Sequence, residues 1–152
     1  KSGVRADADF RLALEFTSDT RMRMSILRAM GQNRELVLKD DDLAIATYRR
    51  IADSKTNTGG ADYFTGVQGA ARMLTRRGEY EDAFDVLNLI DIENVAGSWR
   101  GAMRLSYSQT LEAAGRGVEA VQWYREVVAD EKALQSHRQR AKEAIAALKS
   151  GQ

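Results

Sequence analysis

Apolar residues in the last third of the chain recur at the spacing of amphipathic helices. The stripe nearest the C-terminus consists of Leu134, Ala141, Ile145 and Leu148. Steps of seven, four and three residues separate these positions, which places them on one face of a helix. We expect this helix to span 131–149, with Asp130 as its N-cap and Ser150-Gly151 at its end.

Two helical hairpins are predicted upstream of this helix, at 61–94 and 98–130. The first hairpin carries its apolar stripes on Val67, Ala70, Ala71 and Leu74, then on Ala83, Val86, Leu87 and Ile90. The second carries its stripes on Trp99, Met103, Tyr107, Leu111 and Ala114, then on Val118, Val121, Tyr124 and Val128. Spacings of three and four residues predict two amphipathic helices in each hairpin.

A constant offset relates the two hairpins. Gly115 follows Gly78 by 37 residues, and Ala120 follows Ala83 by the same distance. A glycine in each turn suits the positive φ found just after a helix, and an alanine lets two antiparallel helices approach closely. A two-helix unit repeated at such a period is typical of an α-solenoid.

The N-terminal third, 1–55, predicts helices in a less regular pattern. The capping cluster at 17–19 precedes a helix with Met22, Ile26, Leu27 and Met30 on one face, and Gly31 is its expected end. The acidic run at 40–42 caps a helix with Ala44, Ile45, Tyr48 and Ile51 on its apolar face. Residues 10–16, "FRLALEF", alternate like a strand, and "ELVLK" does so more weakly. Because Ala, Leu and Glu favour a helix and no sheet is evident, we predict a helix at 10–16.

Composition narrows the class of protein. The 23 Lys and Arg residues nearly balance the 22 Asp and Glu residues, so the net charge of +1 gives no reason to expect nucleic acid as a partner. The chain has no cysteine and no proline, and no apolar run approaches the ~20 residues of a membrane span. Lys1 in place of a starting Met indicates an excised domain or a processed product, either cytoplasmic or exported. The residues at 56–60, "TNTGG", predict a flexible loop within a single domain.

"RRGEYEDAFDVLNLI" and "AAGRGVEAVQWYREVV" resemble the centre of tetratricopeptide repeats, and the second segment also resembles the related Sel1-like repeats. The matching positions are Leu74, Gly78, Tyr80, Ala83 and Leu87 in the first hairpin, and Leu111, Gly115, Ala120 and Tyr124 in the second. Arg104 and Gly117 depart from the family pattern, which favours a large apolar residue and an aromatic residue there. The period of 37 also exceeds the ~34 residues of the family, and "IENVAGS" is the expected place for the extra residues.

The resemblance implies an all-α fold: a right-handed α-α superhelix of antiparallel hairpins, an eroded unit at 1–55 and a C-terminal capping helix. It also implies a protein-interaction module that binds a peptide or a partner helix in a concave groove. The groove positions are Thr65, Gln68, Arg72, Thr75 and Arg76 in the first hairpin, and Ala102, Leu105, Gln109 and Glu112 in the second. The arginines would clamp a carboxylate, so reversing the charge of Arg72 and Arg76 should abolish binding of an acidic partner and leave folding intact. No cofactor or metal is implied.

Two other functions stay open at this stage. The chain could be a structural helical domain of a larger protein, with no ligand of its own. A helical enzyme would use scattered carboxylates such as Asp85, Glu93 and Glu112, but no spacing in the sequence pairs them, and we expect no enzyme.

Several motifs have simpler readings than a reactive site. "GRGVEA" at 115–120 matches a dinucleotide-binding pattern, but a predicted helix stands where that motif needs a strand, which favours a turn between helices. His137 is the only histidine and is read as structural, and the acidic run at 40–42 lacks the alternation of a calcium loop. The arginines at 21–28, 49–50, 72–77 and 138–140 are interpreted as solvated faces, and the aromatic residues Trp99, Tyr107, Trp123 and Tyr124 as core.

Overall fold

The computed structural model describes residues 2–54 and 60–151, and all the secondary structure in those residues is helical. The α-helices are α1 (Ser2–Phe16), α2 (Thr20–Asn33), α3 (Asp41–Ala52), α4 (Ala61–Arg76), α5 (Tyr80–Leu87), α6 (Gly97–Ala113), α7 (Gly117–Ala129) and α8 (Gln135–Ser150). A π-helical turn at Arg34–Leu38 continues α2, and a 3-10 turn at Ile92–Asn94 precedes α6. The all-α prediction is confirmed for this part of the chain. Most of the predicted loop at 56–60 lies outside the described residues.

The chain divides into two compact units, which we call unit 1 (residues up to Met73) and unit 2 (from Leu74 onward). Unit 1 contains α1, α2, α3 and most of α4, and unit 2 contains the last turn of α4 and all later helices. The alternating segment "FRLALEF" lies within α1, so its prediction as a helix is confirmed.

The centre of unit 1 is the fully buried side chain of Tyr48 on α3. A Cβ atom added to Gly31 of α2 would lie 2.7 Å from the Tyr48 ring, and one added to Gly69 of α4 would lie 2.9 Å from it. Both glycines therefore bring their backbones directly against the ring. The prediction that Gly31 ends its helix is wrong, because this glycine serves close packing within the helix.

The helix that contains Gly31 ends only after the π-helical turn Arg34–Leu38. Lys39 follows it with φ of 55°, a left-handed conformation that non-glycine residues rarely adopt. The side chain of Asp40 then accepts a hydrogen bond from Leu43 N (3.0 Å), and Asp19 caps α2 in the same way through Met22 N (2.6 Å). Both predicted N-terminal caps are confirmed.

Unit 2 contains the two predicted hairpin turns, and their geometry is the same. Gly78 has φ of 78° and Gly115 has φ of 75°. In the first turn Glu79 N donates to Leu74 O (3.0 Å), and in the second Arg116 N donates to Leu111 O (2.8 Å). Each turn also has a shorter-range bond from the glycine N–H, to Thr75 O and to Glu112 O, both 3.0 Å. These paired bonds define a Schellman motif, which satisfies the last carbonyls of α4 and of α6.

The small residues predicted to lie between helices are buried. Ala83 on α5 and Ala120 on α7 are both 0% exposed, and Ser108 on α6 is also fully buried. The core of unit 2 contains Phe84, Leu105, Leu111, Ala120, Tyr124, Val127 and Ala141. The equivalent alanines of the two hairpins therefore share burial, as the two turns share geometry.

Four local predictions are wrong. Asp130 ends α7 rather than starting the last helix: its carboxylate accepts a hydrogen bond from Lys132 N (3.0 Å) in a turn that is not part of a helix, and α8 begins only at Gln135. Leu134 precedes that helix and is 51% exposed, and Val118 is 70% exposed. Met22 is 56% exposed, whereas Met24 is buried in its place.

Candidate functional site

The predicted groove residues of unit 1 lie on α4. Thr65 and Gln68 are half-buried, and the Thr65 hydroxyl donates to Ala61 O (2.9 Å) within its own helix. Arg72 is exposed, but its guanidinium already forms an ion pair within unit 1: Nη2 donates to Glu35 Oε2 (2.5 Å). Because the Glu35 side chain is only 6% exposed, Arg72 neutralises a buried carboxylate.

The same carboxylate also accepts a hydrogen bond from the central tyrosine of unit 1. The hydroxyl of Tyr48 donates to Glu35 Oε2 at 3.0 Å. Burial, and next the charge of Glu35, raise the pKa of the Tyr48 phenol above its usual value. Tyr48, Glu35 and Arg72 therefore form a linked set that joins α3, the π-helical turn and α4. The proposed charge reversal at Arg72 would disturb this set as well as any bound ligand.

The predicted groove residues of unit 2 differ widely in exposure. Arg76, Gln109 and Glu112 are exposed. Leu105 is only 4% exposed and belongs to the core of unit 2, so it presents little surface to a ligand. Ala102 is also buried, at 7% exposed.

Two of the predicted groove side chains link elements within unit 2. The hydroxyl of Thr75 at the end of α4 lies 2.9 Å from the hydroxyl of Thr110 on α6, at hydrogen-bond distance. Glu112 Oε2 accepts a hydrogen bond from the hydroxyl of Tyr124 on α7 (2.8 Å). Burial, and next this hydrogen bond, raise the pKa of Tyr124.

A buried ion pair in unit 1 was missed by sequence reasoning. Asp7 on α1 receives hydrogen bonds from Arg34 Nε (2.6 Å) and Nη2 (3.2 Å), and both side chains are less than 10% exposed. Arg34 Nη1 also donates to the buried hydroxyl of Thr47 (2.6 Å), and Arg11 Nε donates to Asp7 (2.9 Å). The hydrogen bond from Arg34 holds the pKa of Asp7 below its usual value. The partners are 27 positions apart, and no local pattern marks such a pair.

A second ionic cluster in unit 2 explains the departure at Arg104. Asp130 receives two hydrogen bonds from Arg100, at 2.7 Å and 3.1 Å, and the first of these lowers the pKa of Asp130. Arg104 lies 3.6 Å from the same carboxylate, and it also pairs with Glu93 (2.7 Å) and Glu126 (3.4 Å). Its side chain is only 11% exposed. Arg104 is therefore a largely buried cation among three carboxylates.

The glycine-containing segment at 115–120, the aromatic residues of unit 2 and His137 all lie in turns or among packed helices. Gly115 and Arg116 lie in the turn between α6 and α7, and residues 117–120 form the first turn of α7, so the prediction that "GRGVEA" is a turn between helices, preceded by a helix rather than a strand, is confirmed. Tyr107 stacks on Trp123 at a ring distance of 4.4 Å and packs against Phe84 at 5.1 Å. His137 is half-buried, and its Nδ1 is buried without a hydrogen-bond partner. Burial, and next the charge of Arg140, lower the pKa of His137.

Residues 2–54 and 60–151 contain no group of three or more histidine or carboxylate side chains placed to hold a metal ion. Within the same ranges, no helix has the length and apolar character to cross a membrane. Two of the scattered carboxylates considered for an enzyme have basic or hydroxyl partners: Glu93 pairs with Arg104, and Glu112 with Tyr124.

The comparisons with known proteins add no family to this description. No protein-family model matches the chain, and neither a curated protein nor a solved structure is similar to it.

Proposed function

We propose that this protein is a helical protein-interaction module that binds a peptide or partner helix in a concave groove along the exposed residues of α6 and the last turn of α4. The observation that carries the proposal is the duplicated hairpin turn. Gly78 and Gly115 share one conformation and one pattern of hydrogen bonds at an offset of 37 residues. Repeated helical hairpins build extended surfaces that bind other chains. A right-handed superhelix of the tetratricopeptide kind, with a concave groove, is the arrangement we propose.

The side chains proposed to contact the partner in unit 2 are Arg76 and Gln109. Both are exposed, and the glutamine amide can donate to and accept from a peptide backbone. Arg76 can bind a carboxylate with two parallel hydrogen bonds. On the α4 part of unit 1, Thr65 and Gln68 are the corresponding candidates.

Selection of peptides from a displayed library tests this proposal without requiring a named partner. We expect the selected peptides to bind by titration calorimetry and to lose at least about tenfold in affinity with Arg76→Glu and Gln109→Ala together, a change of roughly 1.4 kcal/mol. The matched control is Arg140→Glu with Gln139→Ala, two exposed positions on α8. A selection that yields no binding peptide, or peptides equally sensitive to both double variants, would contradict the proposal.

A second candidate function is a structural domain that packs within a larger protein and binds no ligand of its own. Internal use of several predicted groove residues favours it. Arg72 donates a hydrogen bond to Glu35, Glu112 accepts one from Tyr124, and Leu105 is buried. Failure of the peptide selection, together with a tight complex between this chain and the rest of its parent protein in size-exclusion chromatography, would support this alternative.

A further inference from the structure

A cleft in unit 2 lies between the first part of α7 and the end of α8. Its volume is about 220 Å3, and the residues that line it are Val118, Val121, Gln122, Arg125, Leu148 and Lys149. Sites for small molecules usually enclose roughly 300–1,000 Å3. The cleft is therefore suited to one or two side chains of a docking protein.

The apolar side of this cleft is open to solvent. Val118 is 70% exposed, and Gln122 and Arg125 follow it at the four- and seven-residue spacing of one helix face. Leu148 on α8 lies close to the start of α7, because a Cβ added to Gly117 would be 3.6 Å from it. An incoming aliphatic side chain would therefore meet apolar atoms from both helices.

The polar side of the cleft is cationic. Arg125 and Lys149 are both exposed, and neither side chain makes a hydrogen bond or ion pair with any residue that the structure describes. The rest of α8 adds Arg138, Arg140 and Lys142, against a single acid at Glu143. The cleft thus combines an aliphatic surface with positive charge, and it is complementary to an acidic segment with an aliphatic side chain.

Unit 2 itself carries such a segment. Residues 79–93 contain six acidic residues and no Lys or Arg. Glu81 and Asp85 are exposed one turn apart on α5, and Leu89, which follows the helix, is 49% exposed. The carboxylate of Asp85 makes no hydrogen bond or ion pair with a described residue.

The acidic face and the cleft occupy equivalent places in the two hairpins. Adding the offset of 37 to Glu81 and Asp85 gives Val118 and Gln122, which line the cleft. Equivalent outer faces of α5 and α7 therefore differ in chemistry: the first is acidic, and the second is apolar with cations beside it.

We propose that the acidic face of α5 in one molecule docks into the α7–α8 cleft of a second copy. Glu81 and Asp85 contact Arg125 and Lys149 across the interface, and Leu89 packs on Val118. The two surfaces are different patches of one chain, so the contact is head-to-tail and adds copies in sequence rather than closing a symmetric pair. Exposed ion pairs are individually weak and screened by salt, so the association is weak and salt-dependent.

Sedimentation equilibrium of the full chain at rising concentration tests the association. At low ionic strength we expect the average mass to rise above the 16.9 kDa of one chain. At about 1 M salt the Debye length shrinks to ~3 Å, and the mass should return to that of the monomer. A chain that stays monomeric at low salt up to millimolar concentration overturns the proposal.

Charge-reversed variants test which surfaces meet. Arg125→Glu with Lys149→Glu alters only the cleft, and Glu81→Lys with Asp85→Lys alters only the acidic face. Each double variant alone should remain monomeric, with an unchanged helical circular dichroism spectrum. An equimolar mixture of the two should associate again, because the intact cleft of one variant meets the intact acidic face of the other.

The control for charge alone is Arg21→Glu with Arg50→Glu, which makes the same change in net charge at exposed positions of unit 1. It should associate like the unaltered chain. Association that survives in both cleft and α5 variants would overturn the proposal by placing the contact elsewhere. Loss in both variants without recovery in the mixture would overturn the pairing of cleft and α5 face.

Discussion

In unit 1 the ring of Tyr48 packs against two glycine backbones, whereas in unit 2 helices pack around the buried alanines Ala83 and Ala120. Unit 1 also buries an ion pair between Asp7 and Arg34, each less than 10% exposed. Unit 2 repeats one turn and one set of small residues. A contact that occurs in both hairpins can be recognised in the sequence, because the same residue types recur at a fixed spacing. A contact that occurs once, such as the Asp7–Arg34 ion pair, produces no such pattern.

The largest effect on stability should come from removing the buried carboxylate of Asp7 in unit 1. Asp7→Ala leaves Arg34 buried without its charge partner, and we expect the free energy of unfolding to fall by about 3–5 kcal/mol. Urea unfolding followed by circular dichroism measures this change. Asp9→Ala on the exposed side of the same helix is the control and should stay within about 0.5 kcal/mol of the unaltered protein. Equal losses in the two variants would show that the ion pair does not hold unit 1 together.

Acid should lower the free energy of unfolding, because it protonates Asp7 in unit 1 and Asp130 in unit 2. The loss should not exceed the loss caused by removing these carboxylates by mutation. Arginine partners lower the pKa of Asp7 and of Asp130 in the folded state. The stabilisation is therefore complete above the unfolded pKa of about 3.9 and disappears as the pH falls through the lower folded values. Urea unfolding between pH 7 and about pH 2 should show this decline, with a shallower slope in Asp7→Asn and in Asp130→Asn. An unchanged slope in both variants would assign the acid sensitivity to other groups.

A bulky residue at the repeated small positions should have a smaller effect. Ala83→Leu and Ala120→Leu overfill the contacts of α5 and α7, and each should lower the free energy of unfolding by about 1–3 kcal/mol. Ala129→Leu on the exposed side of α7 is the control. If the two hairpins are equivalent packing units, both losses should be similar. A loss at one alanine only would break the equivalence.

The smallest effects should have opposite signs in the two units. Gly78→Ala and Gly115→Ala place a Cβ on a residue with positive φ and should each cost about 1 kcal/mol. Lys39→Gly in unit 1 relieves the same strain at φ of 55° and should stabilise by about 0.5 kcal/mol, the remainder after the entropic cost of glycine. Thermal unfolding of the three variants measures these changes. Destabilisation by Lys39→Gly would show that the lysine side chain has a structural role that outweighs backbone strain.

The sequence was informative where the signal for an element is local. The N-caps Asp19 and Asp40 are adjacent to the helices they start, and the turn glycines Gly78 and Gly115 follow periodic apolar stripes. The wrong predictions concern residues whose role depends on a contact with a residue distant in the sequence. The sequence predicts that Gly31 ends its helix because glycine is common there, but it lies within the helix and packs against the ring of Tyr48 on α3.

The candidate site illustrates the same limit. Periodicity places Leu105 and Arg104 on the same helix, but it does not reveal that the leucine is in the core or that the arginine is enclosed by carboxylates. Helical period reports which residues share a face. It does not report which neighbouring helix, or which charge, covers that face. The exposure of Val118 next to a cationic cleft likewise depends on how α8 packs on α7.

The turns at Gly78 and Gly115 have a consequence for the chirality of the backbone. A Cβ of L configuration added at either glycine meets no described atom within 4 Å, so steric crowding is not what excludes an L side chain from these turns. The obstacle is handedness, because L-residues disfavour the positive φ that both turns adopt. D-alanine prefers that region and restricts the unfolded chain more than glycine does. A chemically synthesised chain with D-alanine at these two positions should therefore keep both hairpins and be more resistant to unfolding.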